Sequence, residues 1–195
     1  MSNVVIIDYG AGNIQSVQFA LERIGIHALL TKDPKQINEA DKVIFPGVGH
    51  AGPALKALRE NGLDTLIPTL KQPVLGICLG MQLMCNFSEE NNEKGLGIFL
   101  IDVKKFTESN KVPHIGWNTL NNTSSILFEG ITANAYTYFV HSYFSEIGSE
   151  TIAETQYGQS FSAALQKDNF YGCQFHPEKS GAVGQHILKN FIELS

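Results

Sequence analysis

No stretch of this chain is apolar over more than the length of a strand, so no segment reads as a membrane span. Basic residues never run beyond a pair and the net charge is −5, which leaves no footprint for nucleic acid or an anionic membrane surface. Cysteine is scarce and odd in number, at three, and Met1-Ser2-Asn3 passes straight into an apolar run without a secretory signal. A disulfide framework is therefore not expected; free thiols in a reducing cytoplasm are. The glycosylation-like triplets at Asn86, Asn121 and Asn122 carry no meaning in that compartment. Charged residues make up only 17% of the chain and hydrophobic ones 43%, which excludes disorder and suits a globular enzyme. Neither a repeat nor a low-complexity block nor a linker interrupts the 195 residues, so the reading is one domain over residues 1–195.

What is present is an alternation of apolar runs and helical periods. Residues 3–8 form a continuous apolar run, the pattern of a strand buried on both faces. A turn at Gly10-Ala11-Gly12-Asn13 leads to a helix with Ile14, Val17, Leu21 and Ile24 on one stripe and Gly25 as its stop. Further strands are expected at 27–31, 42–45 and 74–77, with helical pattern over 53–70, broken near Gly62, and over about 79–87. This alternation predicts an α/β fold, a mostly parallel central sheet flanked by helices. The second half differs: strand-like segments at 96–106, 115–120, 135–140, 151–157, 161–166 and 170–175 predict additional antiparallel strands that extend or flank the sheet. A last helix over about 182–194 turns Val183, Ile187, Leu188, Phe191 and Ile192 inward.

In such a sheet, active sites gather at the carboxyl ends of strands. Asp8-Tyr9-Gly10, Pro46-Gly47-Val48-Gly49, Cys78 and His176 all lie there. Gly76-Ile77-Cys78-Leu79-Gly80, between a strand and a helix, is the thiol form of the nucleophile elbow. Small flanking residues permit the strained turn, and the amides from Leu79 onward can face a developing oxyanion. His176 and Glu178, two apart, are expected on one side of an extended segment stiffened by Pro177, the carboxylate orienting the imidazole. Nucleophile, base and orienting acid together are the minimum for acyl transfer through a thiolate. Cys85, expected on the same helix face as Cys78, and Cys173 read as packed thiols. His141 reads as site-lining; His27, His50, His114 and His186 read as surface or satisfied core residues. Cys173 and His176 have no companion pair at ligand spacing, so neither a metal nor an organic cofactor is expected.

Gly-Ile-Cys-Leu-Gly-Met-Gln at 76–82, Phe-His-Pro-Glu at 175–178 and Pro-Gly-Val-Gly at 46–49, in this order, resemble the motifs of class I (triad) glutamine amidotransferases over essentially the whole chain. The finer likeness is to glutaminase subunits of histidine biosynthesis, through residues 8–13, 46–50, 113–118, 138–143 and 175–180. The resemblance implies that Cys78 attacks the carboxamide of L-glutamine, with Val48, Gly49 and Leu79 forming the oxyanion hole. His176 would serve as acid and base, and Glu178 as its orienter. It further implies that Gly49, Gln82, Ser142 and Tyr143 hold the glutamine. Ammonia would pass to a (β/α)8-barrel cyclase bound as a heterodimer partner, with Asn13, Trp117 and Lys179 at the contact. Slow hydrolysis by the isolated chain, with the partner completing the oxyanion hole, is the matching expectation. Other readings stay open on sequence: a glutaminase serving a different synthase, a thiol peptidase on a similar sheet, or a non-catalytic scaffold.

Overall fold

The computed structural model describes residues 3–10, 12–106 and 111–194. In chain order the first half comprises β1 (Val4–Ile7), α1 (Ile14–Glu22), β2 (Leu29–Thr31), α2 (Pro34–Asn38), β3 (Lys42–Gly47), α3 (Ala51–Glu60), α4 (Leu63–Leu66), β4 (Val74–Cys78) and α5 (Leu79–Met84). The second half comprises β5 (Phe87–Ser88), β6 (Glu93–Lys94), β7 (Asp102–Lys105), β8 (His114–Thr119), β9 (Tyr136–His141), β10 (Tyr143–Ser145), β11 (Thr151–Tyr157), β12 (Gln159–Lys167), β13 (Phe170–Cys173) and α6 (Gly181–Glu193).

One sheet runs in the order β2-β1-β3-β4-β13-β12-β10-β7-β5-β6, with β11 beside β12. From β2 to β13 every neighbour is parallel; from β13 to β7 every neighbour is antiparallel. The return of β13, late in sequence, to pair in parallel with β4 is what makes one continuous sheet of the two halves. Strands buried on both faces divide their side chains by alternation. Val4 and Ile6 of β1, with Ile44, Leu75 and Ile77, pack against α1 and α6 on one face. Val5 and Ile7, with Val43, Phe45 and Val74, pack against α2 to α5 on the other. β8 and β9 form a separate two-stranded ribbon, in register from His114 opposite His141 to Thr119 opposite Tyr136.

Three sequence expectations shift. The strand expected over 96–106 is confined to β7, and the helix after Cys78 stops at Met84. Both have one cause: the amides of Leu96, Gly97, Ile98 and Phe99 donate to the carbonyls of Leu83, Cys85, Met84 and Met84. The segment closes the end of α5 instead of joining a ladder. Cys85 accordingly sits just past the helix rather than on its face. α2 has no counterpart among the sequence expectations, although Asp33-Pro34 marks it; Asp33 accepts from Lys35 N at 2.9 Å and Pro34 opens the first turn.

Candidate active site

β3, β4 and β13 are parallel neighbours, so their carboxyl ends share one edge of the sheet. Each delivers a different piece: β3 runs into Val48-Gly49-His50, β4 ends on Cys78, and beyond β13 the chain reaches His176 and Glu178. Cys78 adopts φ 51° and ψ −107°, a region that L-residues rarely occupy. Glycine makes the turn possible by close approach. A Cβ on Gly76 would strike Met84 and lie 2.8 Å from Met81 N, and one on Gly80 would run into the carbonyl of Phe45. Any side chain there would part α5 from the strands beneath it.

His176 Nδ1 lies 2.8 Å from Glu178 Oε1, with His176 and Glu178 both buried. The two meet, but not along an extended segment: Pro177–Lys179 is a 3-10 turn, and it folds the carboxylate back under the imidazole. Asn13, expected at a partner surface, is half-buried, and its Nδ2 donates to the same Glu178 Oε1 at 2.7 Å. Glu178 Oε1 thus bonds His176 and Asn13 at once. Burial alone drives His176 toward its neutral form. The negative charge of the neighbouring Cys78, then the hydrogen bond and charge of Glu178, more than offset it and raise the imidazole to about 10. Among the described residues His176 Nε2 meets no hydrogen-bond partner within ordinary limits, so Cys78 and His176 are neighbours electrostatically without a formed bond. Such contacts often tighten only with substrate in place. Burial pushes the Cys85 thiol up to about 12 and that of Cys173 higher still, and both are fully enclosed.

A cavity of about 280 Å³ opens above Cys78. Val48, Gly49, Leu79, Gln82, Ser142 and Tyr143 all line it, together with His176, His141, His50 and Glu90. Gln82 does so with both amide hydrogens already used, on Tyr143 O and Gln174 Oε1, each at 2.9 Å. What it retains for a ligand is its carbonyl oxygen. Sequence reasoning missed Glu90. Its Oε2 accepts from Ala51 N, the first residue of α3, at 2.7 Å, and its Oε1 lies 3.0 Å from His50 Nδ1. That fixes a carboxylate in the cavity wall, 8% exposed. No pattern in Ser88-Glu89-Glu90 distinguishes it from a solvated acid. His141 and His114 form a buried pair, Nε2 to Nδ1 at 3.0 Å, and burial holds both neutral, at about 3 and about 4. Among the described residues, no group of three or more His, Cys, Asp or Glu could hold a metal ion.

Trp117, 54% exposed, stands on β8 opposite Tyr138, and Lys179 is exposed beside Glu178. Tyr138 O accepts from His176 N at 2.9 Å and Tyr138 N donates to Ser180 Oγ at 3.0 Å. The ribbon is thus bonded directly to the segment that carries His176 and Glu178.

A family model described as Glutamine amidotransferase class-I matches residues 5–194. The imidazole glycerol phosphate synthase subunit HisH of Bacteroides fragilis is 56% identical over 194 residues, covering 98% of this chain and 99% of the relative. That of Escherichia coli K12 is 50% identical over 195 residues, covering 98% and 100%. Among solved structures, a crystal structure of a glutamine amidotransferase superposes with TM-score 0.77 at 19% identity, covering 98% of each chain. PurLQS from Thermotoga maritima superposes with TM-score 0.73 at 16% identity, again covering 98% of each chain; at such identities the likeness is one of fold. Matched by the family model almost end to end, and by relatives of at least half identity over their whole length, the chain belongs to the class I glutamine amidotransferases and, within them, to the imidazole glycerol phosphate synthase HisH subunits.

Proposed function

We propose that this chain hydrolyses L-glutamine to glutamate and ammonia through a cysteinyl thioester. We further propose that it delivers the ammonia to a (β/α)8-barrel cyclase, which forms imidazole glycerol phosphate and aminoimidazole-carboxamide ribonucleotide in histidine biosynthesis. The observation that carries the reading is the single cavity onto which Cys78, His176 and the loop after β3 converge, in a chain of this family.

In the proposed sequence Cys78 Sγ attacks the carboxamide carbon, and the oxyanion is met by the amides of Leu79 and of Val48 or Gly49. His176 gives its Nε2 proton to the departing ammonia, leaving the thioester. It then takes a proton from the water that releases glutamate, while Glu178 holds the ring. Glu90 is suited to the α-ammonium of glutamine, since its carboxylate is fixed in the cavity wall. Gly49, Ser142, Tyr143 and the carbonyl of Gln82 supply the remaining polar contacts. A small, half-enclosed site of this kind favours a free amino acid over a peptide strand.

The partner is read as docking over Trp117 and Lys179, with Asn13 acting just beneath that surface. Support comes from the bonds that join Tyr138, across from Trp117, to His176 and Ser180, and Asn13 to Glu178. Pressure on this surface reaches the imidazole within two bonds, and the unpartnered His176 Nε2 fits slow hydrolysis by the free chain. The whole chain is read as one domain in the cytoplasm, supported by the continuous sheet and three free thiols; no helix among the described residues is long and apolar enough to cross a membrane.

The test is glutamate formation from glutamine with and without the cyclase and its ribonucleotide ligand, with Cys78→Ser as control. Stimulation by the partner that disappears in the variant is expected. Equal rates with and without the cyclase would overturn the partner-gated reading and leave a glutaminase for another synthase.

A further inference from the structure

Next to Cys78, and outside the lining of the cavity, lies a side chain that the mechanism above does not use. Gln174 is fully buried, two residues before His176, and its Nε2 stands 3.7 Å from Cys78 Sγ. Which end of its amide faces the sulfur follows from neighbouring groups. Tyr143 O is a carbonyl and can only accept; it takes hydrogen bonds from His141 Nδ1 at 2.7 Å and from Gln82 Nε2 at 2.9 Å. Gln82 is thereby oriented, and the second hydrogen on its Nε2 goes to Gln174 Oε1 at 2.9 Å. With its oxygen so occupied, Gln174 must turn its own N–H toward Cys78.

We propose that Gln174 is a further catalytic residue, an amide donor that stabilises the Cys78 thiolate through the attack and again when the thioester is broken. The proposal rests on the thiolate chemistry read above. A thiolate in an apolar turn needs donors; besides its electrostatic neighbour His176, Sγ faces the Val140 carbonyl at 3.9 Å, which accepts from the thiol and repels the thiolate. Ionisation thus exchanges the weak Val140 contact for the Gln174 one. The donor is neutral, so it stabilises negative charge on sulfur without offering a second acid to compete with His176. The three-amide relay from Tyr143 to Cys78 also sets the direction of the sulfur, because none of its members can rotate without stranding a buried polar atom.

The test compares the full-length chain with Gln174→Met, which keeps the length of the side chain and removes the donor. Alkylation of Cys78 by iodoacetamide is followed by peptide mass spectrometry across a pH series. This readout needs no glutamine turnover and so stands apart from the fate of the glutaminase reading. The midpoint of the rate profile is expected to move upward by about one pH unit, with a loss of rate near neutrality of roughly tenfold. In glutaminase assays kcat is expected to fall, because Gln174 touches the reacting sulfur. A midpoint unchanged in a folded variant overturns the proposal. Should Gln174→Met fail to fold, the Gln174 side-chain amide of the wild-type protein, assigned by NMR, is followed while Cys78 ionises. A shift in that resonance matching the alkylation profile supports the proposal, and a resonance indifferent to Cys78 overturns it.

Discussion

The His114–His141 pair should make this protein lose stability steeply on mild acidification. In the unfolded chain each imidazole takes up a proton near 6.5, whereas in the folded chain burial delays uptake to about 4 for His114 and about 3 for His141. Below 6.5 the unfolded state therefore binds protons that the native state refuses, and stability falls as pH falls. Each group contributes about 1.4 kcal/mol per pH unit, so the pair gives a slope of ~2.7 between about pH 6 and 4.5. From about pH 7.5 to pH 5 the loss is roughly 4 kcal/mol, a large share of a typical domain's ~5–15. His176, raised to about 10, has the opposite sign: its stabilisation is fully present below 6.5 and fades as pH rises through the folded value, so it adds little slope in the acid window. Solvent has little access to the pair, since His114 and His141 are 3% and 6% exposed and His114 stacks on Phe139 and Tyr157. The assay is urea unfolding at a series of pH values, for wild type and for His114→Gln. The variant removes one titrating group, and the slope should drop to about 1.4 kcal/mol per unit. Identical slopes for the two proteins would refute the reasoning, whatever their absolute stabilities.

Three further outcomes are expected. Gly80→Ala forces a Cβ into the carbonyl of Phe45 and should cost about 3 kcal/mol, seen as a melting temperature lowered by roughly 10 °C; unchanged melting would mean that α5 can lift freely from β3. Asn13→Ala strips Glu178 Oε1 of the hydrogen bond it accepts besides that of His176, and should lower glutaminase kcat about tenfold with little change in KM, whereas a rise in KM alone would place Asn13 at the substrate. Glu90→Gln keeps an acceptor for Ala51 N but removes the charge, so KM for glutamine should rise at least about tenfold; an unaltered KM would exclude Glu90 from holding the α-ammonium.

Much of this protein was legible as one-dimensional pattern. Continuous apolar runs mark β1, β3 and β4 because a strand covered on both faces has no polar side to show. Gly76, Cys78 and Gly80 are readable because a strained elbow packed against two strands excludes any Cβ at its flanks, a demand that falls on neighbouring residues. His176 and Glu178 are likewise close in sequence, so their pairing survived the wrong expectation of an extended segment. The interrupted strand at 96–106 was not readable, since its apolar residues say nothing of whether their amides will meet a strand or the end of α5.

What tertiary structure alone decided are the contacts between residues far apart in the chain. Asn13 reaches Glu178 across 165 residues, Gln82 reaches Gln174 across 92, and Glu90 reaches the first turn of α3 across 39. Each of these side chains is of a type that surfaces and turns use freely, and local pattern carries no mark of a partner so distant. The sequence determined which groups could do chemistry. The fold, by returning β13 to lie parallel beside β4, determined that they meet, and through the buried amides around Cys78 how each of them is turned.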